Sequence, residues 1–104
     1  MEVTICTLHE SKTKEAVKIA RKSFSVTESL FIRKPKQGFV AIIDDNIVGG
    51  VFYDTKHTNT KKIGVINFLF TDPQFVGHGI AGKLLDSCIA ALWEDGCDGL
   101  VKKL

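Results

Sequence analysis

A glycine-rich turn between an apolar run and an amphipathic run constrains this chain more than any other feature. Residues 63–70 are almost entirely apolar, as in a buried strand, and residues 83–93 repeat apolar side chains at helical spacing. Between them lies Gly77-His-Gly-Ile-Ala-Gly82. The first turn of a helix exposes unpaired backbone N–H groups at the positive end of its dipole, and glycines let an anion approach them closely. The pattern therefore predicts a site for a phosphate-bearing cofactor.

The composition is that of one soluble globular domain spanning residues 1–104, with 44% hydrophobic and 25% charged residues. A net charge of +2 is too weak and dispersed to indicate a nucleic-acid partner. The three cysteines, Cys6, Cys88 and Cys97, lack CxxC spacing, so the sequence predicts neither a metal site nor a disulfide framework. No apolar run approaches the roughly 20 residues needed to span a bilayer. We therefore expect a reduced, cytoplasmic protein without a membrane segment.

The other elements follow from local patterns. The first half of the chain should form a strand at 3–8, a helix at 11–24 with Ser11 as N-cap, and a hairpin of 39–43 and 47–53 around Asp44-Asp45-Asn46. The second half should form the strand 63–70, a helix that ends at Gly96, and a strand that begins at Leu100-Val101. Residues 27–32 stay ambiguous, with a short second helix as one interpretation. Gly49-Gly50 indicates a bulge or a close backbone approach. The fold class is α+β (mixed α/β), an antiparallel meander followed by a parallel βαβ crossover, with helices on both faces.

The GxGxxG spacing at 77–82 is weak evidence by itself, and two nucleotide-binding motifs fit it poorly. A dinucleotide-binding turn follows the first strand directly, whereas here the preceding strand is the fourth and Asp72-Pro73-Gln74-Phe75 intervenes. A Walker A loop is excluded because no Gly-Lys-Ser/Thr follows the glycines.

The segment instead resembles motif A of the GCN5-related N-acetyltransferase (GNAT) family. There a strand, a proline and an R/Q-x-x-G-x-G/A turn open the helix that holds coenzyme A. Phe70-Thr-Asp-Pro73 is similar to the strand exit, residues 76–81 to the turn, and Lys83-Leu-Leu85 to the start of the helix. The order of elements also fits, over nearly the whole chain. The resemblance implies the GNAT fold and acetyl transfer from acetyl-CoA to an amine.

The resemblance also assigns the cofactor residues. The main chain of Leu69, Phe70 and Thr71 would run alongside the pantetheine arm, next to a bulge or splay of the strand. An N–H group near Phe70 or Thr71 could polarise the thioester carbonyl. The diphosphate would lie on the turn, formed by Val76, Gly77, His78, Gly79, Ile80, Ala81 and Gly82.

Two side chains of that turn, those of Val76 and His78, affect how it would bind the diphosphate. Val76 stands where the family usually has Arg or Gln, which removes a possible side-chain contact and weakens the cofactor site without abolishing it. For His78 two alternatives stay open, a donor to phosphate or a solvent-exposed loop residue.

The sequence supports its candidates for the general base less strongly than it supports the cofactor residues. Glu28, Asn67 and Asp72 are the candidate catalytic residues, with Asp54 a further acidic residue near the hairpin. Asp72 is better explained as a polar turn cap and Glu28 as a solvated helix position, while Asn67 could point into a cleft or bond within its strand. The only tyrosine, Tyr53, fits a packing role, with its hydroxyl in solvent.

In the family a helix and paired strands follow, and the resemblance implies that this C-terminal part is absent here. Two alternatives stay open, a fragment of a longer protein or a shortened domain that closes its acceptor side as a homodimer. Besides the enzyme, a non-catalytic acyl-CoA-binding or regulatory module and a ligand-free interaction domain remain as alternative functions. The amine substrate is unidentified.

Overall fold

Five strands form one sheet in which neighbours along the chain are also neighbours in space, in the order β1-β2-β3-β4-β5. A computed structural model describes residues 2–24, 26–29 and 31–103. The strands are β1 (Thr4–Thr7), β2 (Gln37–Ile43), β3 (Asn46–His57), β4 (Lys62–Thr71) and β5 (Gly99–Lys102), and the helices are α1 (Thr13–Ser23), α2 (Val26–Ser29) and α3 (Ile80–Glu94). The first four strands are antiparallel and β5 is parallel to β4. The predicted mixed α/β class and βαβ crossover are confirmed.

Most predicted elements occur at the predicted places, and their ends differ for local reasons. The hairpin turn is formed by Asp44 and Asp45 at φ of 48° and 65°, the left-handed pair that a two-residue turn of this twist requires. Gly96 follows α3 at φ 85°, as a helix stop should. The predicted cap at Ser11 is wrong, because Glu10–Lys12 forms a 3-10 turn and α1 begins after it. Of the ambiguous segment 27–32, residues 27–29 are helical as part of α2, Phe31 and Ile32 are not helical, and Leu30 lies outside the described residues.

The sheet separates two apolar cores. On one face α3 buries Ile80, Leu84, Cys88 and Leu92 at the spacing of one helical stripe, against β2, β3 and β4. On the other face α1 buries Ala16 and Ala20, and their small side chains let the helix approach a layer of aromatic rings. Those rings include Phe52 and Phe70, whose centroids are 5.1 Å apart in an edge-to-face arrangement. β4 is therefore covered on both faces, as its apolar sequence predicts.

Gly49 and Gly50 serve close packing and also adjoin a bulge. Ala41 pairs with Gly49 and Ile42 with Ile47, which leaves Val48 extra on β3. A Cβ at Gly50 would lie 2.6 Å from Cζ of Phe70, too close for any real contact. The predicted close backbone approach is confirmed at Gly49, whose Cβ would lie 2.8 Å from the Phe70 carbonyl oxygen, and the bulge lies next to the dipeptide, at Val48. Among the described residues, no helix is long and apolar enough to cross a membrane.

Candidate functional site

The chain leaves β4 through a capped turn built on Asp72. One carboxylate oxygen accepts the backbone N–H of Gln74 at 3.0 Å, and Lys22 Nζ on α1 donates to the other at 3.2 Å. The Gln74 hydrogen bond lowers the pKa of Asp72, burial opposes that change, and the Lys22 hydrogen bond and charge lower it further. Asp72 is only 5% exposed. The side chain thus fixes the direction in which the chain enters the glycine turn.

Two glycines of the turn adopt backbone conformations that other residues rarely accept. Gly77 has φ 93° and Gly79 has φ 72°. Gly79 directly precedes α3, and its carbonyl accepts the N–H of Lys83 at 3.3 Å. A Cβ added at Gly77, Gly79 or Gly82 would meet no atom within 4 Å. The outer surface of the turn is therefore open to a ligand.

The N–H groups at the start of α3 are available in that open space. Ile80, Ala81 and Gly82 are the first three residues of the helix, so their N–H groups have no acceptor within it. No other backbone acceptor for them is found in residues 2–24, 26–29 and 31–103. Val76 is 68% exposed and His78 is also exposed, so neither side chain fills the turn. The arrangement has the donors and the dipole orientation of an anion site.

The pairing of β4 with β5 covers only residues 63–66, away from this turn. The parallel pairing joins Ile63–Ile66 to Gly99–Lys102, and the described part of the chain offers 67–71 no further partner on that side. On the other side β4 bulges, because Phe68 pairs with Phe52 and Ile66 with Tyr53, leaving Asn67 without a register partner. The strand segment that leads to the turn thus has a bulge on its β3 side and, among the described residues, no strand partner on its other side.

The direction of the free backbone groups follows from one hydrogen bond. Asp72 N–H donates to the Val48 carbonyl at 2.7 Å, and backbone groups alternate between the two edges of a strand. Phe70 therefore faces β3, while the N–H and C=O groups of Leu69 and Thr71 face the other edge of β4. Of the three predicted pantetheine contacts, these two present hydrogen-bonding groups to a ligand at that edge.

A cavity of about 710 Å³ lies on the α1 side of the sheet beside the bulge. Asn67 Nδ2 donates to Asp54 Oδ2 there at 2.9 Å, which orients the carboxylate of Asp54. Two of the candidate catalytic residues, Glu28 and Asn67, line this cavity, whereas Asp72 does not. The full described lining is Phe24, Glu28, Phe31, Arg33, Lys34, Pro35, Lys36, Phe52, Tyr53, Asp54, Asn67, Phe68 and Lys103.

Tyr53 joins the cavity to the core under α3. Its ring stacks on Phe39 with centroids 6.0 Å apart. Burial raises the pKa of Tyr53, and the charges of Cys88 and Asp95 add to the increase. The phenol is therefore protonated at neutral pH and packs as the sequence predicts.

Sequence reasoning missed the cationic and aromatic parts of the cavity. Arg33, Lys34 and Lys36 follow α2 in a segment with no periodic pattern, and Phe31 is 71% exposed there. An exposed phenylalanine within a cationic segment was the available signal. No group of three or more His, Cys, Asp or Glu side chains in the described ranges is placed to hold a metal ion.

Comparisons with known proteins agree with this geometry. The sequence profile of the Acetyltransferase (GNAT) family matches residues 5–103. No curated protein sequence matches. Similar solved structures, all below 25% identity, show the same fold. One is the ribosomal-protein-alanine N-acetyltransferase from Brucella melitensis biovar Abortus 2308, at 19% identity and TM-score 0.77, covering 97% of this chain and 78% of that one.

Two further structures show the same likeness. Aminoglycoside N-acetyltransferase AAC(6′)-Iy in complex with CoA is 13% identical, with TM-score 0.77, covering 99% of this chain and 77% of that one. A putative acetyl transferase from Pyrococcus furiosus is 20% identical, with TM-score 0.79, and the match covers 99% of this chain and 83% of that one.

Proposed function

This chain belongs to the acetyltransferase (GNAT) family, and we propose that it transfers the acetyl group of acetyl-CoA to a primary amine held in the 710 Å³ cavity. Acetyl-CoA-dependent N-acetyl transfer is the function that family membership assigns. The proposal concerns which residues of this chain hold the cofactor and the amine, and what each of them does.

One observation supports the cofactor site above all others. The open turn at 76–82 follows directly on the end of β4, and in the part of the chain that the structure describes both have backbone N–H groups without an acceptor. Coenzyme A has a diphosphate joined to a pantetheine arm that contains amides. A nest of N–H groups suits the diphosphate, and the free groups of Leu69 and Thr71 suit the amides. The residues present therefore fit this cofactor without a contribution from the Val76 side chain.

Within this arrangement the backbone positions the reacting groups. Acetyl-CoA, when bound, supplies an acetyl thioester and a thiolate leaving group. The N–H group of Leu69 or Thr71, on the edge of β4 that faces away from β3, can donate to a developing oxyanion, which stabilises charge that appears only in the transition state. Because these donors are fixed by β4, they need no rearrangement during the reaction.

Asp54 is the best-placed proton acceptor for the amine. It lines the cavity, and its carboxylate is oriented by the 2.9 Å hydrogen bond from Asn67. An ammonium ion must lose a proton before it can attack, and a carboxylate can take that proton directly or through one water molecule. Asn67 thus acts as a positioning residue, and Glu28 adds a second carboxylate at the cavity wall.

Titration with acetyl-CoA, followed by backbone NMR, tests the cofactor site. We expect the largest shift changes at Gly77, Gly79, Ala81 and Thr71, and loss of binding in Gly79→Glu, which adds bulk and negative charge on the open turn. Shifts confined to another part of the chain would refute this placement. Release of free thiol in the presence of an amine panel then measures turnover, and Asp54→Asn should lower kcat while leaving the acetyl-CoA Kd unchanged.

A non-catalytic acyl-CoA-binding module is the second candidate function. The observation that favours it is Val76, which is exposed and apolar where the family resemblance calls for Arg or Gln. This alternative predicts the same shift changes with acetyl-CoA, but no thiol release with any amine.

We further propose a cytoplasmic location and a homodimer. The location is supported by Cys6, Cys88 and Cys97, which are all free thiols, as expected in a reducing compartment. The dimer is supported by β5, an edge strand on which Val101 is 50% exposed. Sedimentation equilibrium of the wild type and of Val101→Lys tests the dimer, because a lysine on the edge strand should shift the equilibrium to monomer.

A further inference from the structure

The 710 Å³ cavity has a charge distribution that selects among amines. Four cationic side chains line it, against the two carboxylates of Glu28 and Asp54. The cations are Arg33, Lys34, Lys36 and Lys103. Of these, Lys34 has a carboxylate partner, since its Nζ lies 3.7 Å from Glu10. The other three have no carboxylate within 4.0 Å in the described ranges.

The remaining surface of the cavity is aromatic. The rings of Phe24 and Phe68 pack edge to face with centroids 5.7 Å apart, and the centroid of the Phe52 ring lies 6.4 Å from that of Phe68. Phe31 adds a ring that is 71% exposed at the opening. These rings form the apolar part of a lining that also contains the Asp54–Asn67 pair and the cationic segment 33–36. A ligand that fills the cavity therefore meets carboxylates, an apolar wall and unpaired cations.

We propose that the acceptor is a small amino-acid-like molecule with a primary amine, an apolar or aromatic side chain, and a carboxylate. This inference rests on the proposed function, because it takes the cavity as the acceptor site. The amine lies at Asp54, the side chain on the phenylalanine wall, and the carboxylate at Arg33 and Lys36. Arg33 suits that role, since a guanidinium binds a carboxylate with two parallel hydrogen bonds.

The same charges disfavour polycationic acceptors. An aminoglycoside-like molecule would bring several positive charges toward four cationic side chains, and like charges at short range oppose binding. The volume of about 710 Å³ is in the range of sites for small molecules. Similarity of fold to aminoglycoside acetyltransferases thus does not carry their acceptor class to this cavity.

Three amines with one ring system test the assignment. Phenylalanine, phenylalaninamide and phenethylamine share the amine and the aromatic side chain, and only the first has a carboxylate. With CoA present, we expect calorimetry to give phenylalanine a Kd at least 10-fold lower than that of the other two. Neamine, a polycation, should bind more weakly than all three. Equal affinities, or tighter binding of the neutral or polycationic amines, would overturn the inference.

Charge-reversed variants identify the carboxylate contact. Arg33→Glu and Lys36→Glu should each raise the Kd of phenylalanine at least 10-fold, whereas the Kd of the cationic phenethylamine should stay unchanged or fall. Lys61→Glu is the matched control, because Lys61 is an exposed lysine of the β3–β4 connection outside the cavity lining. It should change neither value. Loss of phenylalanine binding in the control as well would assign the effect to overall charge and refute the site.

The outcomes separate this inference from the function on which it rests. Failure of the wild type to bind acetyl-CoA refutes the proposed function. Binding of acetyl-CoA together with a reversed order of amine affinities refutes only the acceptor class. If no amine binds in the presence of CoA, the cavity is not an acceptor site and the inference fails, although the cofactor site stands.

Discussion

Replacement of Gly79 by alanine tests the central physical claim, that the turn before α3 is held open for an anion. Gly79 has φ 72°, and an L-residue in that conformation costs about 1–2 kcal/mol. Alanine also lowers the conformational entropy of the unfolded chain, which offsets about 0.4–1 kcal/mol of that cost. The net loss of stability should be about 1 kcal/mol. For a domain of this size that lowers Tm by roughly 4–8 °C, as measured by circular dichroism.

The same substitution should weaken cofactor binding by more than its effect on stability. The Cβ would project into space that is open for 4 Å around it, next to the unpaired N–H groups of α3. Displacement of one phosphate oxygen removes a charge-assisted hydrogen bond, worth about 1.5–3 kcal/mol. That corresponds to an increase in the acetyl-CoA Kd of about 10- to 150-fold, measured by titration calorimetry.

Gly96→Ala is a matched control. Gly96 has φ 85° and open space at its Cβ, so the substitution imposes similar strain. It lies at the other end of α3, roughly 22 Å away at 1.5 Å per residue. We expect the same fall in Tm and an unchanged Kd. Equal losses of affinity in the two variants, or wild-type affinity in Gly79→Ala, would refute the anion site at the turn.

Three further predictions concern stability and reactivity. Gly50→Ala places a Cβ 2.6 Å from the buried Phe70 ring and should cost about 1–3 kcal/mol of unfolding free energy in urea, unless the ring can move. The pKa of Asp72 is lowered in the folded state, so its stabilising contribution is present above about pH 3.8 and is lost as pH falls through the folded pKa. In Asp72→Asn the free energy of unfolding should therefore depend less on pH in the acid range than it does in the wild type. Burial raises the pKa of the Cys88 thiol to about 11, so mass spectrometry should show no alkylation of Cys88 at pH 8 until the protein is unfolded, and modification in the native state would contradict its placement.

Local sequence predicted most of the elements and the glycine turn proposed for the cofactor, although not the start of α1 or the extent of α2. Alternating and helical apolar patterns fixed which segments are strands and helices, because each pattern presents one apolar face to a core. The glycines at 77, 79 and 96 occupy left-handed positions, where a side chain would be strained, so their places in the sequence already marked the turn and the helix end. The motif that carries the family resemblance is contiguous, which is why it could be recognised without coordinates.

The acceptor cavity was decided by tertiary structure. Asp54 and Asn67 lie 13 positions apart, and they meet because a bulge in β4 places Asn67 beside Phe68 on the α1 face of the sheet. Strand pattern alone could not show this, since one extra residue changes which face a side chain takes. The cations of 33–36 have no periodicity of their own, and only the path of the chain after α2 brings them to the cavity. Short-range rules thus determined the backbone geometry of the proposed cofactor site, whereas contacts between distant segments determined the side-chain cavity proposed for the amine.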